Sequence, residues 1–177
     1  MQTFIDKCAE GNTTFKGMSK EEIIADLRRQ REDMYAQPLS RIRISLDTNI
    51  FIFGIRNIDP YSVLILKNLF RFDVCIAAQV EKELRKNVTI AELKEFYSLI
   101  DPLPGFEIAY QQVEQAIFQQ YQALGMGIGD ALIAAFCNVE GIEIFISENR
   151  HFLQELPKQT YEIMDSSSFC KRFGLGV

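Results

Sequence analysis

Residues 42–55 read I-R-I-S-L-D-T-N-I-F-I-F-G-I, and this stretch constrains the fold more than any other in the chain. Ile42, Ile44 and Leu46 alternate with Arg43 and Ser45, the two-residue period of a strand. The apolar residues that follow, Ile50, Phe51, Phe53, Gly54 and Ile55, suit a short buried helix. Between them Asp47-Thr48-Asn49 forms a polar strand-to-helix turn. In an open α/β sheet such a turn faces the crevice outside the carboxyl ends of the strands, where ligands bind. Asp47 then has two readings. It caps the helix, since Asp and Asn are favoured caps, or its carboxylate does chemistry. The turn alone does not separate them.

The same alternation continues to the end of the chain. Residues 63–72 read as a helix, 73–77 as a short buried strand, and 79–87 and 89–100 as amphipathic helices. Asp101-Pro102-Leu103-Pro104-Gly105 breaks the second of these. A short strand is expected over 106–110. A glutamine-rich helix follows over 111–124, with Val113, Ile117, Phe118 and Tyr121 inward. Gly125-Met126-Gly127-Ile128-Gly129 reads as a flexible connector to Asp130, from which A-L-I-A-A-F-C makes a buried helix as far as Gly141. Strands over 142–147 and 161–164 and helices over 149–155 and 167–173 complete the pattern. Strands separated by helices indicate a three-layer α/β/α fold with a parallel, Rossmann-like central sheet.

A chain of 177 residues at 47% hydrophobic holds one full core with room for an appendage. The appendage is residues 1–40. Ser19-Lys20-Glu21-Glu22 fits a capping box that starts a helix over about 19–37, and Pro38 stops it. Its apolar face is Ile23, Ile24, Leu27, Met34 and Tyr35, with Arg31 on the same stripe. Residues 41–177 form the main domain. No run approaches the length of a membrane span. The amino terminus lacks the basic start and apolar core of an export signal, so a cytoplasmic location with Cys8, Cys75, Cys137 and Cys170 reduced is expected. No C-x-x-C pair and a single histidine argue against structural zinc. The net charge of −5 argues against a nucleic-acid binder that relies on bulk positive charge. It leaves a nuclease open, because an acidic metal pocket itself lowers the net charge.

Acids and amides recur where strands end or helices begin. Asp47 follows the first strand, Glu83 lies one turn into the helix after the second, Asp130 opens the buried helix, and Asn149 follows the 142–147 strand. Each has an ordinary reading: Asp130 and Asn149 as caps, Glu83 on a solvated face beside Arg85 or Lys86. In a doubly wound sheet the four would meet in one crevice. Clustered carboxylates are stable there only with a cation to offset their repulsion, and hard oxygen ligands favour Mg²⁺ or Mn²⁺.

The stretches S-L-D-T-N-I-F-I, A-A-Q-V-E-K-E-L, G-D-A-L-I-A-A-F and I-S-E-N-R-H-F-L, centred on Asp47, Glu83, Asp130 and Asn149, resemble the PIN-domain nucleases and in particular the VapC-like toxins. The order and the spacings of 36, 47 and 19 residues resemble the family's, from about Arg41 to the end of the chain. The resemblance implies a Mg²⁺ or Mn²⁺ site and endonucleolytic cleavage of single-stranded RNA. It implies Asp47 and Asp130 as principal metal ligands and Glu83 as a third, direct or through water, with Glu81 its weaker alternative. Asn149 stands where many members carry Asp and many VapC-like toxins carry Asn, so one carboxylate fewer is expected. Thr48 and Ser147 are implied as groups that orient the acids. An antitoxin partner and a homodimer are implied likewise, and the 19–37 helix resembles the toxin-docking segment of an antitoxin.

Arg43, Lys82, Arg85, Lys86 and Arg150 are expected near the crevice, able to steer RNA phosphates. His151 reads as structural or substrate-adjacent rather than catalytic, and Asp165 as a turn or cap. Two other enzyme readings fit less well. A phosphatase of the haloacid-dehalogenase type wants a second Asp two residues after the first, where this chain has Asn49. A receiver domain wants an early acid pair and a late lysine that cannot be placed. The non-enzyme alternative is a PIN fold kept as a binding or scaffolding module with a weakened metal site.

Overall fold

Five short strands pair in parallel to form the centre of the computed structural model, which describes Ser19 and residues 41–156 and 159–176. They are β1 (Arg43–Leu46), β2 (Asp73–Ala77), β3 (Phe106–Ala109), β4 (Ile144–Ile146) and β5 (Glu162–Met164). Their order across the sheet is β3-β2-β1-β4-β5. Seven helices pack around the sheet among the described residues: α1 (Thr48–Ile55), α2 (Pro60–Lys67), α3 (Ala78–Asn87), α4 (Ile90–Ile100), α5 (Gln115–Ala123), α6 (Ile128–Val139) and α7 (Ser166–Phe173). This is the expected three-layer α/β/α fold with a parallel sheet. The helix expected over 19–37, and with it the 1–40 extension, lies outside the described residues apart from Ser19.

β1 holds the middle of the sheet, and its alternation has a different meaning from the one expected. Ser45 is as fully buried as Ile44 and Leu46, because helices cover both faces of a central parallel strand. Register follows directly: Ile44 pairs with Val74 on one side and with Ile144 on the other. Arg43 is a correction. It lies at the amino end of β1, away from the crevice, and its guanidinium meets Asp73 at 2.9 Å, Glu107 at 3.4 Å and the Glu140 carboxylate at 3.6 Å. One half-buried cation there holds together the bottom edges of β1, β2 and β3 and the end of α6.

The core seats α1 on the sheet. Phe51 is fully buried and stands edge-on to Phe96, with ring centres 5.1 Å apart, and to Phe106 at 6.4 Å. Gly54 lets α2 cross close by, since a Cβ there would sit 2.4 Å from Leu66 Cδ1 and 3.2 Å from the Ser62 carbonyl. Phe72 packs on Phe169 and Phe173 of α7 at the far side. Cys75, Cys137 and Cys170 are buried free thiols. Among the described residues no helix is long and apolar enough to cross a membrane.

Several element boundaries differ from the sequence reading. α2 starts at Pro60 because Asp59 caps it, accepting from the Ser62 amide at 2.7 Å, and it stops at Lys67 before a 3-10 turn over Leu69–Arg71. α5 starts only at Gln115. The Tyr110 hydroxyl donates to Glu81 Oε2 at 2.8 Å and Val113 packs on the core, which holds the chain out of helix between them. α6 starts at Ile128, so Ile128 and Gly129 are helix rather than connector. Gly127 in extended backbone caps that helix and accepts from the Ala131 amide at 2.8 Å. Residues His151–Glu155 form a wide, π-type turn in place of the short helix expected there.

Candidate metal centre

β1 and β4 are neighbours although far apart in sequence, and the chain's strand order reverses between them. That is the switch point where doubly wound sheets open a crevice. The backbone pairing runs one residue beyond the strands: the Asp47 amide donates to the Ile146 carbonyl at 2.9 Å and the Ser147 amide to the Met164 carbonyl at 3.0 Å. Asp47 and Ser147 therefore sit side by side at the carboxyl edge. Asp47 is only 5% exposed. Its Oδ1 accepts from the Thr48 amide at 2.7 Å and its Oδ2 from the Ser147 hydroxyl at 2.5 Å. The same side chain caps α1 and faces the crevice, so both readings of Asp47 hold together.

Glu83 is brought to this point by α3 and Asp130 by α6. The Thr48 hydroxyl donates to Glu83 Oε2 at 2.7 Å, and the Gln79 amide donates to Glu83 Oε1 at 2.7 Å. On the opposite flank, Asn149 Nδ2 donates to Asp130 Oδ2 at 3.2 Å, and the Asn149 amide donates to the Ser147 hydroxyl at 3.0 Å. A continuous hydrogen-bonded path thus runs Glu83, Thr48, Asp47, Ser147, Asn149, Asp130. The six residues named as ligands or as groups orienting them, apart from the alternative Glu81, all belong to it. Asn149 has a chemical role that Asp could not fill: its NH₂ donates to Asp130, where a carboxylate would repel it.

Burial pushes the Asp47 carboxyl up to about 6 from 3.8, with the charges of Asp130 and Glu83 adding to the rise and the bonds from Ser147 and Thr48 opposing it. Burial also raises Asp130, helped by Glu83 and opposed by the Asn149 hydrogen bond and the nearby charge of His151. Among the described residues no lysine or arginine forms an ion pair with Asp47, Glu83 or Asp130. The site carries a cluster of negative charge, and its carboxylates are hard oxygen donors, which is the donor set for Mg²⁺ or Mn²⁺. Among the described residues no three of Asp, Glu, His and Cys stand close enough to hold an ion as they are, because each carboxylate is turned to a hydrogen-bond partner. Binding a cation asks these carboxylates to exchange some of those bonds for the ion.

Glu81, the weaker alternative, is removed from the crevice. Although burial favours its neutral form, hydrogen bonds from Tyr97, Arg85 and Tyr110 hold its carboxyl below the usual range. The same cluster occupies Arg85, so of the five basic residues expected to steer phosphates, Arg43 and Arg85 are corrected. Lys82, Lys86 and Arg150 remain exposed. Asp165 caps α7 and accepts from the Ser168 amide at 2.7 Å.

Two residues at the site escaped the sequence reading. Gln79 had a signal, its i, i+4 spacing from Glu83 along one helix face. Gly129 had none. A Cβ at Gly129 would lie 2.5 Å from Glu83 Oε1 and 3.3 Å from Gln79 Nε2, so glycine is what lets the Glu83 carboxylate rest on the first turn of α6 beside Asp130. Gly129→Ala is expected to displace Glu83 rather than the helix, because the obstructing atom is the end of a flexible side chain. Calorimetric titration with Mn²⁺ should show affinity weakened by about tenfold or more, with the melting temperature kept. Gly127→Ala is the control, since nothing lies within 4 Å of its added carbon. Equal Mn²⁺ affinity in the two variants would remove Gly129 from the site.

A doubly wound sheet with acids gathered at its switch point defines the class of this protein: an α/β domain with an acidic crevice at the carboxyl edge. The PIN domain family profile matches residues 44–156, a span containing all six residues of the network, and the chain belongs to the PIN domain family. No curated protein matches the chain. Among solved structures it is similar to VapBC2 from Rickettsia felis bound to a DNA fragment from its promoter, at 17% identity and a TM-score of 0.54, covering 70% of this chain and 98% of that one. It is also similar to DNA-bound VapBC from Salmonella typhimurium, at 19% identity and a TM-score of 0.53, covering 71% and 98%. A protein of Pyrobaculum aerophilum matches at 11% identity and a TM-score of 0.50, covering 76% and 98%. Likeness at these identities is likeness of fold.

Proposed function

We propose that this chain is a divalent-metal-dependent endoribonuclease that acts as the toxin of a toxin–antitoxin pair, with residues 41–177 as the nuclease domain and 1–40 as an extension of it. The observation that carries the reading is the convergence of Asp47, Glu83 and Asp130 in one crevice, with no lysine or arginine ion pair to them among the described residues, in a chain of the PIN domain family. The VapBC names of two similar structures support the toxin part, and with it an antitoxin partner; the homodimer rests on the family resemblance alone.

Asp47 and Asp130 would hold Mg²⁺ or Mn²⁺, with Glu83 as the third oxygen ligand, direct or through water. A bound Mg²⁺ or Mn²⁺ supplies an acidified water and neutralises charge on the phosphate under attack. The protein's own part is positional. Ser147 and Thr48 fix the Asp47 carboxylate, and Thr48 with Gln79 fixes Glu83. Asn149 aligns Asp130. A carboxylate of the group would accept the proton of the attacking water.

Mn²⁺ calorimetry on the full chain and on Asp130→Asn, followed by cleavage of an unstructured RNA by the same samples, tests this. Wild type should bind Mn²⁺ and cut; Asp130→Asn should lose both, and a chelator should silence wild type. Cleavage that survives chelation would overturn the reading. A second reading has two observations in its favour: Asn149 is neutral, and no three acids among the described residues hold an ion as they stand. A binding module with an inactive site would show no Mn²⁺ uptake at millimolar concentration.

A further inference from the structure

Beside the acidic crevice, at the carboxyl ends of β2 and β3, lies a groove of about 420 Å³. The start of α3, the segment held out of helix after β3, and the flank of α6 enclose it. Its floor is apolar and includes Phe136, while its rim carries the amides of Gln79, Gln111, Gln112 and Gln115 and the ammonium of Lys82. The side-chain amides of Gln111, Gln112 and Gln115 make no hydrogen bond among the described residues. Gln79 belongs to both sites, since its Nε2 donates to Glu83 Oε1 at 2.7 Å.

We infer that this groove is the subsite for one nucleobase of the RNA strand next to the cleaved bond, an inference that rests on the nuclease reading. The volume falls within the range of small-ligand pockets. A neutral amide presents a donor and an acceptor in one plane, which complements the edge of a base. Single-stranded RNA offers such edges unpaired. Four amides and one cation do not make a site for a free anion; they select a flat ligand that both donates and accepts, with Lys82 placed for the adjoining phosphate. The shared Gln79 ties occupancy of the groove to the carboxylate that faces the reacting phosphate.

The test uses the full chain, with Gln112→Ala/Gln115→Ala and, separately, Gln111→Glu. All three positions are exposed, so both variants should melt like wild type. Two readouts are taken: cut-site maps and kinetics on an unstructured RNA of mixed sequence, and metal-free fluorescence anisotropy with labelled octamers of adenylate, uridylate or cytidylate. The inference expects KM to rise by at least about fivefold with kcat nearly kept, and the base preference beside the cut to flatten. If wild type cuts and both variants keep its KM and cut sites, the inference fails and the nuclease reading stands. Equal weakening for all three octamers with unchanged cut sites would reduce the groove to backbone contact and overturn it too. If wild type neither cuts nor binds any octamer, both fall.

Discussion

Asp47→Asn should abolish RNA cleavage and, in metal-free buffer near neutral pH, make the protein more stable. The loss of activity should be on the order of a thousandfold or more, equivalent to about 4 kcal/mol of transition-state stabilisation. The gain in stability follows from the raised pKa. The Asp47 carboxyl sits at about 6 in the fold and at 3.8 in an unstructured chain, so the fold prefers its neutral form. Stability from this group is complete below pH 3.8, is lost as pH rises through about 6, and stays lost above it. The span corresponds to about 3 kcal/mol. Asn removes that penalty but cannot accept at both of its atoms, so one of the bonds from Thr48 and Ser147 is given up. A net gain of about 1–2 kcal/mol is expected.

Denaturant melts of both proteins from pH 4 to 8 without metal would show wild type ahead by about 1–2 kcal/mol near pH 4, the curves crossing as pH rises, and the variant ahead above 6. Added Mn²⁺ should reverse the ranking, because a ligand that binds only the folded wild type stabilises only that protein. A wild type that stays ahead of the variant across the whole range without metal would contradict the assigned burial of charge.

Phe51→Ala should lower stability by about 3–5 kcal/mol, because a large ring leaves a void that the surroundings refill only in part. Phe51 is fully buried and edge-on to Phe96 and Phe106, so two aromatic contacts go with it. In a domain of this size the melting temperature should fall by about 10–15 °C. Phe51→Leu keeps most of the volume and should cost less than about 1.5 kcal/mol. Phe51 lies one turn after Asp47 on α1, so the alanine variant should also bind Mn²⁺ more weakly where it is still folded. A fall of only a degree or two would show that the core closes around the void.

Much of the architecture was legible because it is local. The strand-turn-helix at 42–55, the apolar run after Asp130 and the Pro-Gly breaks are written in consecutive residues, and local periods and turn chemistry dictate elements regardless of what packs on them. The boundaries that were missed are those set from a distance. α5 starts late because Tyr110 is bound by Glu81, twenty-nine residues earlier. α6 starts early because Gly127 caps it, where glycine had suggested only flexibility. Asp47, Glu83, Asp130 and Asn149 could be picked from the sequence because each stands at the end of a strand or the first turns of a helix, where a doubly wound sheet places its crevice.

What sequence order does not contain is which strands become neighbours and which side of a helix faces inward. The order β3-β2-β1-β4-β5 is what puts Ser147 beside Asp47, one hundred residues away. Arg43 begins one short strand and Asp47 directly follows it, yet the two ends face different worlds, an ion-paired bottom edge and the acidic crevice. Glu81 and Glu83 are two residues apart on α3, and a helix turns about 100° per residue, so they point to nearly opposite sides. Tertiary packing assigned one to Tyr97 and Arg85 and the other to Thr48. The chain by itself determined its elements and the acids at their ends, since those depend on neighbours in sequence; partners, faces and the glutamine-rimmed groove depend on neighbours in space, which the folded sheet alone supplies.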